Sequence, residues 1–218
     1  MKLSLAVVLV FACIGMTAVP LYAQTPIVID GQFDKLEWIS ATQHSFTVNL
    51  PGGGTTNGEL YVTNDAANLY FCVRIQESFI SPAETAIISL DANGDGILSV
   101  GDDEIVVSTG GYCWSQKQFA DTVRYNPGKS CPSGLCSALD TALGGTSDGN
   151  GAVGSDGVWT TYEIWHPRAG ADFMNDVQWP KAGEVVGIAV SAALLDANNN
   201  GVWTFYPAPF LFTTYTIQ

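Results

Sequence analysis

The chain has 218 residues; 47% are hydrophobic, 23 are glycine and only 13% are charged. That balance suits one globular domain with a sizeable core and many turns. A formal charge of −13 repels phosphate backbones and anionic lipid surfaces, which argues against nucleic-acid or headgroup binding and favours cations or neutral ligands.

Met1 and Lys2 precede an apolar run over residues 3–19, and Leu21, Tyr22 and Ala23 before Gln24 read as a signal-peptidase site. Residues 1–23 are therefore predicted to be a signal peptide, and residues 24–218 a single exported domain, secreted or held at the cell surface. The run is barely long enough to span a bilayer and has no stop-transfer flank, and no second hydrophobic span follows. Cys13 leaves with the signal. Cys72, Cys113, Cys131 and Cys136 remain, an even number that predicts two disulfides with three possible connectivities. Cys131 and Cys136 are close enough to staple one loop, which would leave Cys72 to pair with Cys113. Zinc is the poorer reading, since the spacing of the four lacks a second close pair and a nearby histidine.

From Thr25, residues 27–29 read as a strand, Asp30 and Gly31 as a turn, and residues 34–40 as one helical turn that would lay Leu36 and Trp38 on the core. Residues 58–64 and 68–76 flank a turn at 65–67, a hairpin signal. Leu69, Phe71, Val73 and Ile75 alternate with Tyr70, Cys72, Arg74 and Gln76, the period of a half-buried strand.

Residues 84–108 place a dense acidic loop between two β-branched segments. Asp91, Asn93 and Asp95 alternate with small residues, Gly96 follows, and Ser99 and Asp102 stand ninth and twelfth from Asp91. This is the spacing of a calcium loop, with oxygen ligands on alternate residues, a sharp turn at the sixth position and the carbonyl of Ile97 at the seventh. Asp102 replaces the usual bidentate glutamate, and strands replace helices on both flanks. A shorter closing carboxylate predicts extracellular-range affinity, roughly 10⁻⁴ to 10⁻³ M. The competing reading is an acidic β-turn.

Residues 110–125 read as two further strands, and residues 126–157, rich in Gly, Ser, Asp and Pro, as an excursion from the sheet. Residues 158–165 alternate again, and residues 184–195 are apolar enough for a sheet centre. Residues 196–201 repeat the acidic spacing without a closing carboxylate, so a turn is expected there and a second cation site stays open. Residues 210–217 read as the last strand.

The pattern from Ile29 to Trp38, I-D-G-x-x-D-x-x-E-W, resembles the opening of the family-9-like carbohydrate-binding domains, relatives of the DOMON domains. The resemblance continues in outline through the strand at 68–76, the acidic segment at 90–104 and the strand carrying Glu163, Ile164 and Pro167. It implies an all-β fold, an antiparallel β-sandwich of jelly-roll type with one short helical turn near the N-terminus. It further implies a site that holds sugars between aromatic rings.

Catalytic motifs are missing: the two mature histidines, His44 and His166, stand far apart, and there is no nucleophile elbow, metalloprotease helix or phosphate loop. Two carboxylates suffice for a glycosidase, but sequence does not place them in space. Some DOMON relatives hold haem through His and Met. Here His166 near Met174 reads as a surface histidine beside a loop methionine. What remains is aromatic supply, since flat sugar faces stack on rings. Trp203, Trp114 and Trp179 lie beside turn or loop signals and are the candidate platform, Trp203 first among them. The sequence thus reads as an exported, non-enzymatic binder of a polysaccharide or glycan with structural calcium. The alternative is a calcium-stabilised cell-surface or matrix protein that self-associates, in keeping with its low charge density.

Overall fold

The computed structural model describes residues 25–77, 81–110, 119–125, 136–171, 176–179, 181–198 and 200–218. The signal-peptide segment, Cys113, Trp114, Cys131 and Met174 lie outside these residues. The strands in chain order are β1 (Thr42–Asn49), β2 (Thr55–Asn64), β3 (Asn68–Gln76), β4 (Thr85–Leu90), β5 (Asp103–Ser108), β6 (Phe119–Tyr125), β7 (Cys136–Leu139), β8 (Asn150–Ser155), β9 (Trp159–Pro167), β10 (Val185–Leu195), β11 (Gly201–Tyr206) and β12 (Thr213–Thr216). One sheet has the order β1-β2-β3-β9-β8. The other runs β11-β10-β4-β5-β6-β7, and β12 shares with β11 the edge of β10 that faces away from β4. Every pairing is antiparallel, and the expected sandwich is met.

Alternation decides which side chains meet between the sheets. On β3, Leu69, Phe71, Val73 and Ile75 are fully buried and pack against Ile88 and Leu90 of β4, Ile105 and Val107 of β5, and Ile188 and Val190 of β10 in one cluster. Each such side chain withdrawn from water contributes roughly 1.5–3 kcal/mol. Strands β4 and β5 are buried on both faces, because Ile87, Val106 and Ala120 form a second, smaller cluster on the far side of their sheet. That is why residues 84–108 carry unbroken apolar runs on either side of the loop.

Several sequence expectations are corrected. Residues 27–29 join no sheet. They approach the outer face of the first sheet, where carboxylates replace a ladder partner: Glu163 accepts from the N–H of Asp30 (3.0 Å) and of Gly31 (2.9 Å). The helical turn forms, with Trp38 N–H donating to the Asp34 carbonyl, and it buries Trp38 but leaves Leu36 61% exposed. One turn has a single inward direction, and the indole, which donates Nε1–H to Glu163 at 3.2 Å, takes it.

The segment read as an excursion contains β7, a 3₁₀ turn (Asp140–Leu143) and β8. Its glycines mark close packing: a Cβ on Gly151 would lie 2.3 Å from Val107 Cγ2, and one on Gly154 2.6 Å from the Gly31 carbonyl oxygen. Strand β1, with only Phe46 and Val48 as apolar residues, and strand β11, which directly follows the acidic turn at 196–201, are not among the elements expected from the sequence. Cys72 is a free, wholly buried thiol, so the expected pair with Cys113 is not made. It sits on the outer face of the first sheet opposite Tyr61 and Glu163. Among the described residues, no helix is long and apolar enough to cross a membrane.

Candidate functional site

Strand β11 lies along the edge of β10, so one of its faces packs inward and the other is free. Val202, Thr204 and Tyr206 turn toward the core, while Trp203 and Phe205 turn outward over the small side chains of Ala193 and Ser191. Trp203 and Phe205 are stacked, centroids 6.2 Å apart and planes at 20°, and Phe205 stacks in turn on Phe210 at 6.4 Å and 27°. Trp203 and Phe210 are each 48% exposed. The result is a row of three nearly parallel rings open to solvent.

The acidic loop reaches the end of this row. Leu98 N–H donates to the Phe210 carbonyl at 3.1 Å, and Ile97 bridges Leu211. Phe210 has φ +63°, a left-handed conformation that is costly for a bulky residue, by about 1–3 kcal/mol, and needs its surroundings to hold it. Within the loop, Asp91 accepts N–H bonds from Gly94, Asp95 and Gly96, Asp95 accepts from Ile97, and Ser99 links Asn93 and Asp95. Gly96 takes φ +77°, the sharp turn its position requires. Asp102 is wholly buried and accepts from Ser99 N–H; burial, with the charges of Asp91 and Asp95, pushes its carboxyl up to about 6. The loop carries three carboxylates, an amide and a hydroxyl, but among the described residues Asp91, Asp95 and Asp102 do not bring their oxygens within 4.8 Å of one another, and Asp91 spends both oxygens on the loop's own N–H groups. Asp196 of the second acidic turn likewise accepts from the N–H groups of Asn198 and Asn200 and from the side chain of Asn200, the bonding of a turn.

The predicted platform tryptophans are not brought together. Trp179 packs against the main core, its carbonyl accepting from Arg168 Nε at 3.2 Å, and Trp114 lies outside the described residues. Phe205 and Phe210 complete the row instead. Sequence reasoning missed them because strand β11 was not recognised, although the alternation from Val202 to Tyr206 was there to find.

Two other concavities suit a sugar less well. A groove of about 430 Å³ is lined by Phe33, Trp38, Tyr61, Glu59 and Arg74. Its rings serve the protein itself: the Arg74 guanidinium lies 4.0 Å from the Phe33 ring centre and 4.5 Å from that of Trp159, and binds Glu59 at 2.8 Å. A larger cleft of about 690 Å³, bordered by Leu50, Glu77, Glu84, Val158 and Leu194, has no aromatic ring among the described residues of its wall. Burial pushes Glu77 there up to about 7.

At the far side, ionisable groups gather between the sheets. Asp103 of β5, Asp121 of β6 and His166 of β9 all point inward, and Asp121 also adjoins Asp140 and Asp176. The donor atoms of each trio lie within 4.8 Å of one another, and all five residues are buried. Either trio could hold a metal ion. His166 is therefore no surface histidine: β9 alternation carries it inside, beyond Ile164.

The fold of this antiparallel sandwich is similar to that of solved family-9 carbohydrate-binding modules. Two solved modules of that family from Caldicellulosiruptor kristjanssonii share the fold. One, in complex with cellotriose, has TM-score 0.57 and 14% identity, over 89% of this chain and 90% of that one. The other, in complex with glucose, has TM-score 0.57 and 12% identity, over 90% and 93%. No family model matches the sequence, and no curated protein matches it.

Proposed function

We propose that this protein binds a polysaccharide or glycan outside the cell without chemically changing it, using the row Trp203, Phe205 and Phe210. The observation that carries the reading is the row itself, two stacked rings on an edge strand of the sandwich and a third, Phe210, in the turn that follows it. Such rings match the spaced C–H faces of successive sugar units. The cellotriose and glucose complexes of the two similar modules direct the first screen toward β-glucans. Export rests on the signal-like residues 1–23.

The test is a glycan array and affinity gel with Trp203→Ala as control. Loss of one stacking ring is expected to weaken retention about 10- to 100-fold, the equivalent of roughly 1.5–3 kcal/mol, with unchanged circular dichroism. No binding by the wild type across diverse glycans, or turnover of a substrate lost in Glu77→Gln, would sink the reading.

A calcium ion held by Asp91, Asn93, Asp95, the Ile97 carbonyl, Ser99 and Asp102 is the second part. It would neutralise the clustered carboxylates and, through Leu98 and Ile97, hold Phe210 in place. Adding about 5 mM calcium to EDTA-treated protein is expected to raise stability by roughly 1–2.5 kcal/mol at the affinity the ligand set implies, and to tighten glycan retention. A melting temperature indifferent to calcium removes this part.

A second reading is favoured by the exposed apolar residues Ile97 and Leu211, which bridge one another beside Phe210. The same surface could pair with another copy, as in a self-assembling matrix protein. Light scattering decides between them: a monodisperse monomer at high concentration, with and without calcium, leaves glycan binding alone.

A further inference from the structure

We propose that Asp103, Asp121 and His166 ligate a divalent transition-metal ion between the two sheets, with Asp140 and Asp176 completing its surroundings. This site is separate from the acidic loop, whose last residue, Asp102, precedes Asp103. It does not depend on the glycan reading.

The imidazole supplies the first argument. His166 Nδ1 lies 2.8 Å from the Pro167 carbonyl, which can only accept, so Nδ1 carries the proton and Nε2 presents a lone pair. This backbone-anchored tautomer is how metal-binding histidines are oriented. Nε2 is wholly buried and makes no hydrogen bond. It faces Asp103 Oδ2 at 3.6 Å, too long for a hydrogen bond. Two ligands each about 2.1 Å from one ion lie about 3.4 Å apart at the tetrahedral angle and about 3.6 Å apart at 120°. The gap is that of two groups sharing an ion.

The carboxylates supply the second. Asp121 is 2% exposed, and while its Oδ2 accepts from Asp148 N–H at 2.7 Å, its Oδ1 has no hydrogen-bond partner. Asp103 Oδ2 accepts only a long 3.3 Å bond from Val177 N–H. Buried carboxylates this close repel one another, and isolated charges are not kept in a protein interior without a counter-charge. A cation relieves this directly. Oxygen donors alone would suit calcium or magnesium, but an imidazole in the set favours zinc or manganese.

The full chain is unfolded with chelator, refolded with Zn²⁺, Mn²⁺ or Ca²⁺, desalted and weighed by native mass spectrometry. The expected result is one retained Zn²⁺ or Mn²⁺ in the wild type and in Asp91→Asn/Asp95→Asn, lost in Asp121→Asn and His166→Ala, and kept in Asp121→Glu. Retention of calcium but neither transition metal overturns the assignment, as does equal retention by Asp121→Asn and His166→Ala. Should either variant fail to fold, pulsed EPR of the manganese-loaded wild type decides: nitrogen coupling from one imidazole supports the site, and its absence refutes it. Thermal melts give an independent sign. If an ion is held, Asp121→Asn melts lower than wild type with metal present. If none is held, the variant relieves repulsion and melts higher in both conditions.

Discussion

Glu163→Ala should lower the melting temperature by about 10 °C while leaving the sandwich assembled. The carboxylate is completely buried on the outer face of β9 and accepts from Asp30 N–H, Gly31 N–H and Trp38 Nε1–H. Removing it strands donors that cannot reach water, at about 1–3 kcal/mol each, and three such groups sum to about 3–5 kcal/mol after relaxation. At roughly 2–4 °C per kcal/mol for a domain of this size, the shift is readily measured. The N-terminal segment should loosen first, seen as faster hydrogen exchange over residues 25–40 than over β3.

The same residue gives a pH signature. Burial pushes Glu163 from 4.5 up to about 7, against the lowering effect of its three hydrogen bonds. The folded protein therefore keeps a proton that the unfolded chain releases near 4.5. Between about pH 4.5 and 7 the native state binds more protons, so this group's stabilising contribution is full below that window and is lost as pH rises through it. Glu77, also pushed up to about 7, acts in the same direction. Denaturant midpoints measured from pH 4.5 to 8 should flatten in Glu163→Gln and flatten further when Glu77→Gln is added. A slope unchanged in the double variant would show that other groups set it.

Phe71→Ala is the second large effect expected. Phe71 is fully buried at the centre of β3, with Val62 of β2 on one side and Ile164 of β9 on the other. Truncating a buried phenylalanine costs about 3–5 kcal/mol, part lost burial and part residual cavity. Leu36→Ser, at a position 61% exposed, should stay within about 0.5 kcal/mol. Urea midpoints of the two variants compare them directly, and similar losses would mean that Leu36 finds the core after all.

The contrast between these residues shows how far residue order carries. Hairpin β2–β3, the acidic hairpin β4–β5 and the central strand β10 were legible because period-two alternation and flanking turn residues are local signals. So was the loop of Asp91 to Asp102, whose spacing depends on neighbours along the chain. Strands β1 and β11 were not, since each buries only a few side chains and owes its extended form to a partner strand. The choice of Trp38 over Leu36 was equally hidden, because both lie within one turn and only the position of Glu163 selects the indole.

Chain order alone sufficed for an all-β sandwich, an oxygen-rich loop and a surplus of aromatic rings, all consequences of alternation, turn chemistry and composition. Three-dimensional pairing was needed to line up Trp203, Phe205 and Phe210, to leave Cys72 unpaired, and to bring His166 within 3.6 Å of Asp103. Those meetings join residues far apart in the chain across two sheets. Their proximity is set by strand order and register, which no short window of sequence contains.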